Sequence, residues 1–383
     1  MNIVIFASDA KGLSSLNSII HQAGERGVRV FAIVTNSTQL QHPTLNQNNF
    51  QILTNVGREK VIYSKSLRLD LPFKPDWLLV ARERWNPEED IIKEFKLEFK
   101  SKVGLIEPNS WILGGIEAKL ETESRNRFKD LIDVFFTHST HSKDQQINMG
   151  FKGNMVVVGN PKYDQNTTVP TEVTQQLIKQ YKIDPNKKQV LLFSLVNSNR
   201  TNLNKLFSKY IEDNPQYQYF YKPYPGEPFN SKYRTDYYPQ FFLNNCTPIL
   251  EENHIWGMFN ICSTHIGCLS SITHSTLLLN KEYIDLSKQL NIEEQYLDVG
   301  NVLKEDGVGI ENNLGMWLNT FKLTHKSQLI EVLNPQLIES IKIENKKVWD
   351  NLDKPKELLI LFDDYNDKQA AKRIIKYILN GNI

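Results

Sequence analysis

Residues 1–34 read MNIVIFASDAKGLSSLNSIIHQAGERGVRVFAIV, and three patterns follow one another in them. Ile3–Ala7 is an almost unbroken apolar run, as expected of a strand covered on both faces. Ser8–Gly12 is a polar loop. Leu13, Leu16, Ile19, Ile20 and Ala23 then recur at helical spacing, with Gly24 and Gly27 where such a helix would end. Val28–Val34 is apolar again. Strand, helix and strand in so short a span form a βαβ unit, which favours a parallel sheet.

The same rhythm continues outward. In the first half it predicts strands over Asp76–Ala81, Lys102–Ile106, Asp133–Thr137 and Met155–Val158, and helices over Pro87–Phe99 and Gly115–Leu131. Ser139 is placed to cap a short helix. Residues 36–75 are polar and poorly periodic, a long loop with a short strand or two. A Thr- and Asn-rich stretch, QNTTVPT at Gln165–Thr171, reads as a linker. The alternation then restarts with helices over Glu172–Tyr181, Leu203–Ile211 and Ser270–Leu279, and strands over Gln189–Ser194, Tyr217–Tyr221, Thr247–Leu250, Phe259–Cys262 and Glu282–Leu286. Helices Pro335–Trp349 and Lys368–Leu379 close the chain, the latter with a stripe of Ala371, Ile374, Ile375 and Ile378. The expected fold class is therefore α/β: two facing Rossmann-like domains with parallel sheets, 1–165 and 166–355, and a helical tail, 356–383, packing back toward the first. Ligands of such sheets bind outside the carboxyl ends of the strands, so the cleft between domains is the expected site.

Composition narrows the function. In 383 residues, 45 Lys and Arg against 44 Asp and Glu give a net charge of +1, so no global field draws the chain to nucleic acid or anionic lipid. Only three cysteines are present, the opening run has no basic leader, and no stretch nears the roughly 20 apolar residues of a membrane span. A cytoplasmic protein is expected. Cys262, His265 and Cys268 have the spacing C-x2-H-x2-C, with His274 following. They straddle a strand end and a helix start and do not read as four convergent ligands, so no metal is expected.

Four segments carry the chemistry. Val156–Asp164, VVVGNPKYD, is a strand ending in Gly159-Asn160-Pro161. Leu191–Asn202, LLFSLVNSNRTN, is a buried strand opening through Ser194, Asn197 and Arg200 into a helix start, where backbone N–H groups attract phosphate. Tyr221–Pro228, YKPYPGEP, places Lys222 at a strand end. Ile249–Leu286 contains Thr264, His265, Gly267, Ser270 and Ser271 in the pattern T-H-x-G-x-x-S, then a helix.

Taken in order, these segments resemble the donor-binding half of GT-B glycosyltransferases, a fold shared with UDP-N-acetylglucosamine 2-epimerases and polyol-phosphate transferases. The motifs cover roughly residues 155–290; the first half matches in rhythm alone. The resemblance implies a nucleotide-sugar co-substrate, UDP-sugar foremost, and no permanently bound cofactor. It implies donor contacts from Gly159, Asn160, Ser194, Asn197, Arg200, Lys222, His265, Gly267, Ser270 and Ser271. The loop through His254 and Ile255 would lie beside the base, and His274 would stand where relatives carry a ribose-binding carboxylate. Tyr224 replaces the usual histidine of the third segment.

The first half would then hold the acceptor. A general base is expected at its strand ends, with Asp9, Glu83 and Glu107 as candidates. The expected activity is glycosyl transfer from a nucleotide sugar; a hydroxymethylated base of phage DNA is one acceptor considered. A 2-epimerase, a polyol-phosphate transferase and a non-catalytic nucleotide-binding module are the alternatives.

Overall fold

The computed structural model describes residues 1–7, 10–34, 50–52, 71–81, 86–107, 122, 125–164, 169–194, 200–223, 245–251, 254–290 and 335–382. The chain divides into two compact units. The first is Met1–Gln165 together with Tyr296–Ile383, and the second is Asn166–Gln295.

The first unit is built on a seven-stranded parallel sheet. Its strands are β1 (Asn2–Ala7), β2 (Arg29–Val34), β3 (Phe50–Ile52), β4 (Trp77–Val80), β5 (Lys102–Ile106), β6 (Val134–Thr137) and β7 (Met155–Val157), in the order β3-β2-β1-β4-β5-β6-β7. The order reverses between β1 and β4, and this is the switch point of the sheet.

Alternate strand residues face opposite sides, and both sides are covered. Ile3, Ile5 and Leu79 pack with Leu16, Ile19 and Ala23 of α1 (Ala10–Glu25) and with Ala371, Ile374 and Ile375 of a closing helix, Ala370–Asn380. Val4, Phe6, Leu78 and Val80 pack with Ile91, Ile92 and Phe95 of α2 (Asn86–Leu97). Full coverage is why these strands read as continuous apolar runs. Helix α3 (Thr140–Asn148) is capped by Ser139, whose Oγ accepts the Ser142 N–H at 3.1 Å.

The second unit carries a five-stranded parallel sheet of β8 (Gln189–Phe193), β9 (Gln218–Lys222), β10 (Cys246–Pro248), β11 (Thr264–Gly267) and β12 (Glu282–Asp285). Its order is β10-β9-β8-β11-β12, so its own switch point lies between β8 and β11. Among the described residues its helices are α4 (Thr171–Gln180), α5 (Arg200–Asp213), α6 (Ile255–Ile261) and α7 (Ser271–Leu278). Leu177, Leu191, Phe193, Phe220, Met258 and Phe259 form the core of one face.

Among the described residues three helices follow, α8 (Pro335–Asp350), α9 (Pro355–Phe362) and α10 (Ala370–Asn380). They lie in the first unit, so the expected boundary at 355 is corrected: α8 belongs with the first sheet rather than the second. The expected strand Phe259–Cys262 is likewise corrected. Residues 255–261 form α6, and the strand begins at Thr264. An apolar run this short does not distinguish a buried strand from a buried helical turn. Gly257 lets α6 pack closely on Leu177 of α4. Helix α9 opens the helical tail expected over 356–383, and most of the helix expected over 115–131 lies outside the described residues.

Candidate functional site

The second sheet brings its polar strand ends together at the switch point. Ser194 follows β8 and donates its backbone N–H to Lys222 O at 3.1 Å, joining the ends of β8 and β9. On the other side of the switch point β11 ends at Gly267, and Cys268–Ser270 turn into α7. A Cβ on Gly267 would stand 3.2 Å from Phe193 Cβ and 3.6 Å from Phe193 O, so glycine here lets β11 approach β8 closely.

That turn is held by a directed series of hydrogen bonds. Ser270 N–H donates to Thr273 Oγ1 at 3.1 Å, and Thr273 Oγ1–H donates to Tyr283 Oη at 3.0 Å. The Tyr283 hydroxyl donates to Asp285 Oδ2 at 2.9 Å. Asp285 Oδ1 accepts the Ser287 N–H at 2.8 Å, and Ser287 Oγ accepts the Leu269 N–H at 3.0 Å. The series starts at Ser270 and returns to Leu269, closing on the turn it fixes. Burial, with the Asp285 carboxylate beside it, pushes the Tyr283 hydroxyl well above its usual range, so it stays protonated and donating.

Ser270 is also the N-cap of α7. Its Oγ accepts the Ile272 N–H at 3.2 Å, completing a capping box with Thr273. Because the oxygen is the acceptor, the hydroxyl proton is not consumed by the cap. A helix start with a hydroxyl donor on a rigid turn beside the switch point has the chemistry of an oxyanion site.

The remaining donor candidates separate sharply. His265 is a core residue. It is fully buried, its Nδ1 lies 2.8 Å from Thr276 Oγ1, and its ring packs edge-on to Phe193 and Phe259. Burial pulls its pKa down to about 3, so the imidazole is neutral. His274 is also buried, on the inner side of α7. His254 joins two elements: its Nδ1 lies 3.0 Å from Tyr181 Oη and its Nε2 3.2 Å from Glu251 Oε2. Ile255 packs against the core at the start of α6.

Arg200 and Ser271 open α5 and α7, but their side chains lie outside the described residues, as do Asn197, Asp9 and Glu83 altogether. Asp9 and Glu83 follow β1 and β4 in sequence, the two strands flanking the first switch point.

Gly159 and Asn160 are engaged inside the first unit. Gly159 has φ +88°, and a Cβ there would lie 3.0 Å from Asp363 Oδ1. Asn160 N–H donates to Asp363 Oδ2 at 2.8 Å, and Asn160 Oδ1 accepts the Lys162 N–H at 3.1 Å. Asp164 closes the segment by accepting the Ala370 and Ala371 N–H groups at 3.2 and 2.6 Å, at the start of α10. The G-N-P-x-x-D segment is therefore a joint for the C-terminal helices.

Glu107, at the end of β5, sits in a buried polar hub. It is fully buried and accepts from Thr137 Oγ1 at 2.6 Å, His138 N at 3.0 Å and Ser142 Oγ at 2.7 Å. His138 Nε2 lies 2.8 Å from Glu107 O, and burial lowers the pKa of this ring. Three accepted hydrogen bonds and no exposure suit an anchor better than a base that must reach substrate. Arg125 is another buried polar residue that the sequence reading missed. It bonds Gln146, and its guanidinium lies 4.6 Å from the centre of the Phe135 ring.

The three cysteines are free and buried, and burial raises the Cys246 thiol to about 12. Among the described residues no group of three or more His, Cys, Asp or Glu is placed to hold a metal ion.

No protein-family model matches the chain, and no curated protein is similar to it in sequence. Solved structures are similar over the whole length. UDP-GlcNAc 2-epimerase from Neisseria meningitidis, bound to UDP-GlcNAc, aligns with 14% identity over 99% of this chain and 100% of its own, at a TM-score of 0.61. The UDP-GlcNAc 2-epimerase of Methanocaldococcus jannaschii aligns with 14% identity over 99% of each chain, at 0.59. Anabaena HepE, in complex with UDP and glucose, aligns with 13% identity over all of both chains, at 0.57. At these identities the likeness concerns the fold, and the chain shares the GT-B type of fold with these proteins.

Proposed function

We propose that this chain is a UDP-sugar enzyme: it holds the donor diphosphate against the start of α7 and breaks the bond between the anomeric carbon and the β-phosphate oxygen. The observation that carries the reading is the Cys268–Ser270 turn beside the second switch point, with its hydroxyl cap and its closed hydrogen-bond series. A rigid positive helix end needs no reorganisation when charge develops on the departing UDP. The uridine assignment is supported by the structural neighbours crystallised with UDP or UDP-GlcNAc.

The fate of the sugar separates two readings. Whole-length likeness to UDP-GlcNAc 2-epimerases supports inversion at C2 and return of the sugar to UDP, and we place this first. The order of the four donor segments and the likeness to HepE with UDP and glucose support transfer to an acceptor. For a DNA acceptor the net charge of +1 offers no support. In either case Asp9 and Glu83 are the proton-transfer candidates, because Glu107 is committed to its hub.

Incubation with UDP-GlcNAc in D2O without acceptor decides between them. Formation of the C2 epimer carrying deuterium at C2 marks the epimerase. UDP release that requires an added acceptor marks the transferase. No binding and no turnover of any UDP-sugar overturns the proposal.

A further inference from the structure

The first unit has a cavity at the end of its sheet opposite the switch point, where no sugar-nucleotide chemistry is expected. It measures about 860 Å³ and lies at the amino ends of β4, β5 and β6, against the last turn of α10. That size suits a small organic ligand. Trp77 is nearly fully buried in its lining, and Phe99 and Tyr377 stand beside it.

Its charge is lopsided. Lys74, Lys100 and Lys102 all line it. Lys102 Nζ lies 5.5 Å from the centre of the Trp77 ring. Two carboxylates are also present, and one of them is neutralised by an ion pair. Asp76 accepts the Asn2 N–H at 2.8 Å. Asp133 takes two bonds from Lys96 Nζ, at 2.8 and 2.7 Å, and the Val103 N–H at 2.7 Å. With Asp133 paired, the Asp76 carboxylate and the carbonyl end of α10, about half a negative charge, leave the three ammonium groups in excess. Tyr377 adds a donor: its oxygen already accepts from Asn154 Nδ2 at 3.3 Å, so its proton points elsewhere.

The geometry points to a second anion site here, for a small multivalent phosphate such as an oligophosphate or a phosphate ester. Its ammonium groups meet separate phosphate oxygens as point charges, and the Tyr377 hydroxyl adds one directed hydrogen bond. The site shares no residue with the α7 turn and does not depend on the function proposed for that turn.

Titration with tripolyphosphate at physiological salt tests it, because screening at that salt weakens the pull of lone surface lysines. Wild-type protein binds. The triple variant Lys74→Gln, Lys100→Gln, Lys102→Gln binds at least about tenfold more weakly. A Ser270→Asp variant retains this binding, which separates it from any phosphate bound at α7. Residue-resolved acetylation of wild-type protein gives a second reading that requires no variant to fold: tripolyphosphate slows modification of the three lysines, which are exposed like Lys356, and leaves Lys356, outside the cavity, unchanged. No binding by wild type, equal binding by the triple variant, loss through Ser270→Asp alone, or unprotected lysines each overturn the proposal.

Discussion

At Ser270 the oxygen accepts the Ile272 N–H, and on the proposed function the hydroxyl proton is left for the donor phosphate. Replacing this cap with alanine costs about 1 kcal/mol of stability. Behind it, Tyr283→Phe removes both the donor to Asp285 and the acceptor for Thr273. A loss of about 1–3 kcal/mol is expected from urea unfolding, because one buried partner is a carboxylate. Asp164 supplies a pH test. Burial raises its carboxyl from the usual range to about 6, despite two helix N–H bonds. The folded state therefore holds the proton more tightly than the unfolded chain. The stability this contributes is complete below about pH 4 and is lost as pH rises through about 6. Relative to wild type, Asp164→Asn should thus gain stability as pH is raised across that window, by no more than about 3 kcal/mol. Denaturant midpoints that move in parallel for both proteins would show that the carboxyl is not perturbed. Ser270 and Gly267 were legible in the sequence because helix starts and tight turns are local chemistry. Tyr283, Asp285 and Ser287 were not, since they are ordinary residues until β12 pairs with β11.

Among elements, the segment after β7 binds the C-terminal helices to the first sheet. Gly159 at φ +88°, Asn160 and Asp164 together engage Asp363, Ala370 and Ala371. Gly159→Ala should lower stability by about 1–2 kcal/mol from the left-handed backbone alone, with more from crowding Asp363. Calorimetric melting checks this; an unchanged melting temperature would mean the joint contributes little. Ile374→Ala in α10 should cost about 2–5 kcal/mol, since that side chain is fully buried against β1 and α1. The stripe of Ala371, Ile374, Ile375 and Ile378 announced an amphipathic helix. Nothing local announced which sheet it covers, because its contacts with Val158 and Asp164 span more than two hundred residues. The misread Phe259–Cys262 has the converse cause: a local pattern too short to carry a period.

At the scale of the molecule, two parallel sheets each reverse strand order once, and each reversal creates a place where strand ends diverge. The βαβ rhythm made both sheets visible in the sequence, although the return of residues 335–382 to the first unit was not. The proposed function places the donor phosphate at the second reversal. Calorimetric titration of UDP into wild-type protein and into a Ser270→Asp variant tests it most directly. Aspartate caps a helix as well as serine, so the fold and melting temperature are kept, while a carboxylate now faces the phosphates. With the diphosphate at α7, wild type binds UDP and the variant loses at least about a hundredfold in affinity. Equal affinity in the two proteins, or no binding by wild type, would contradict it.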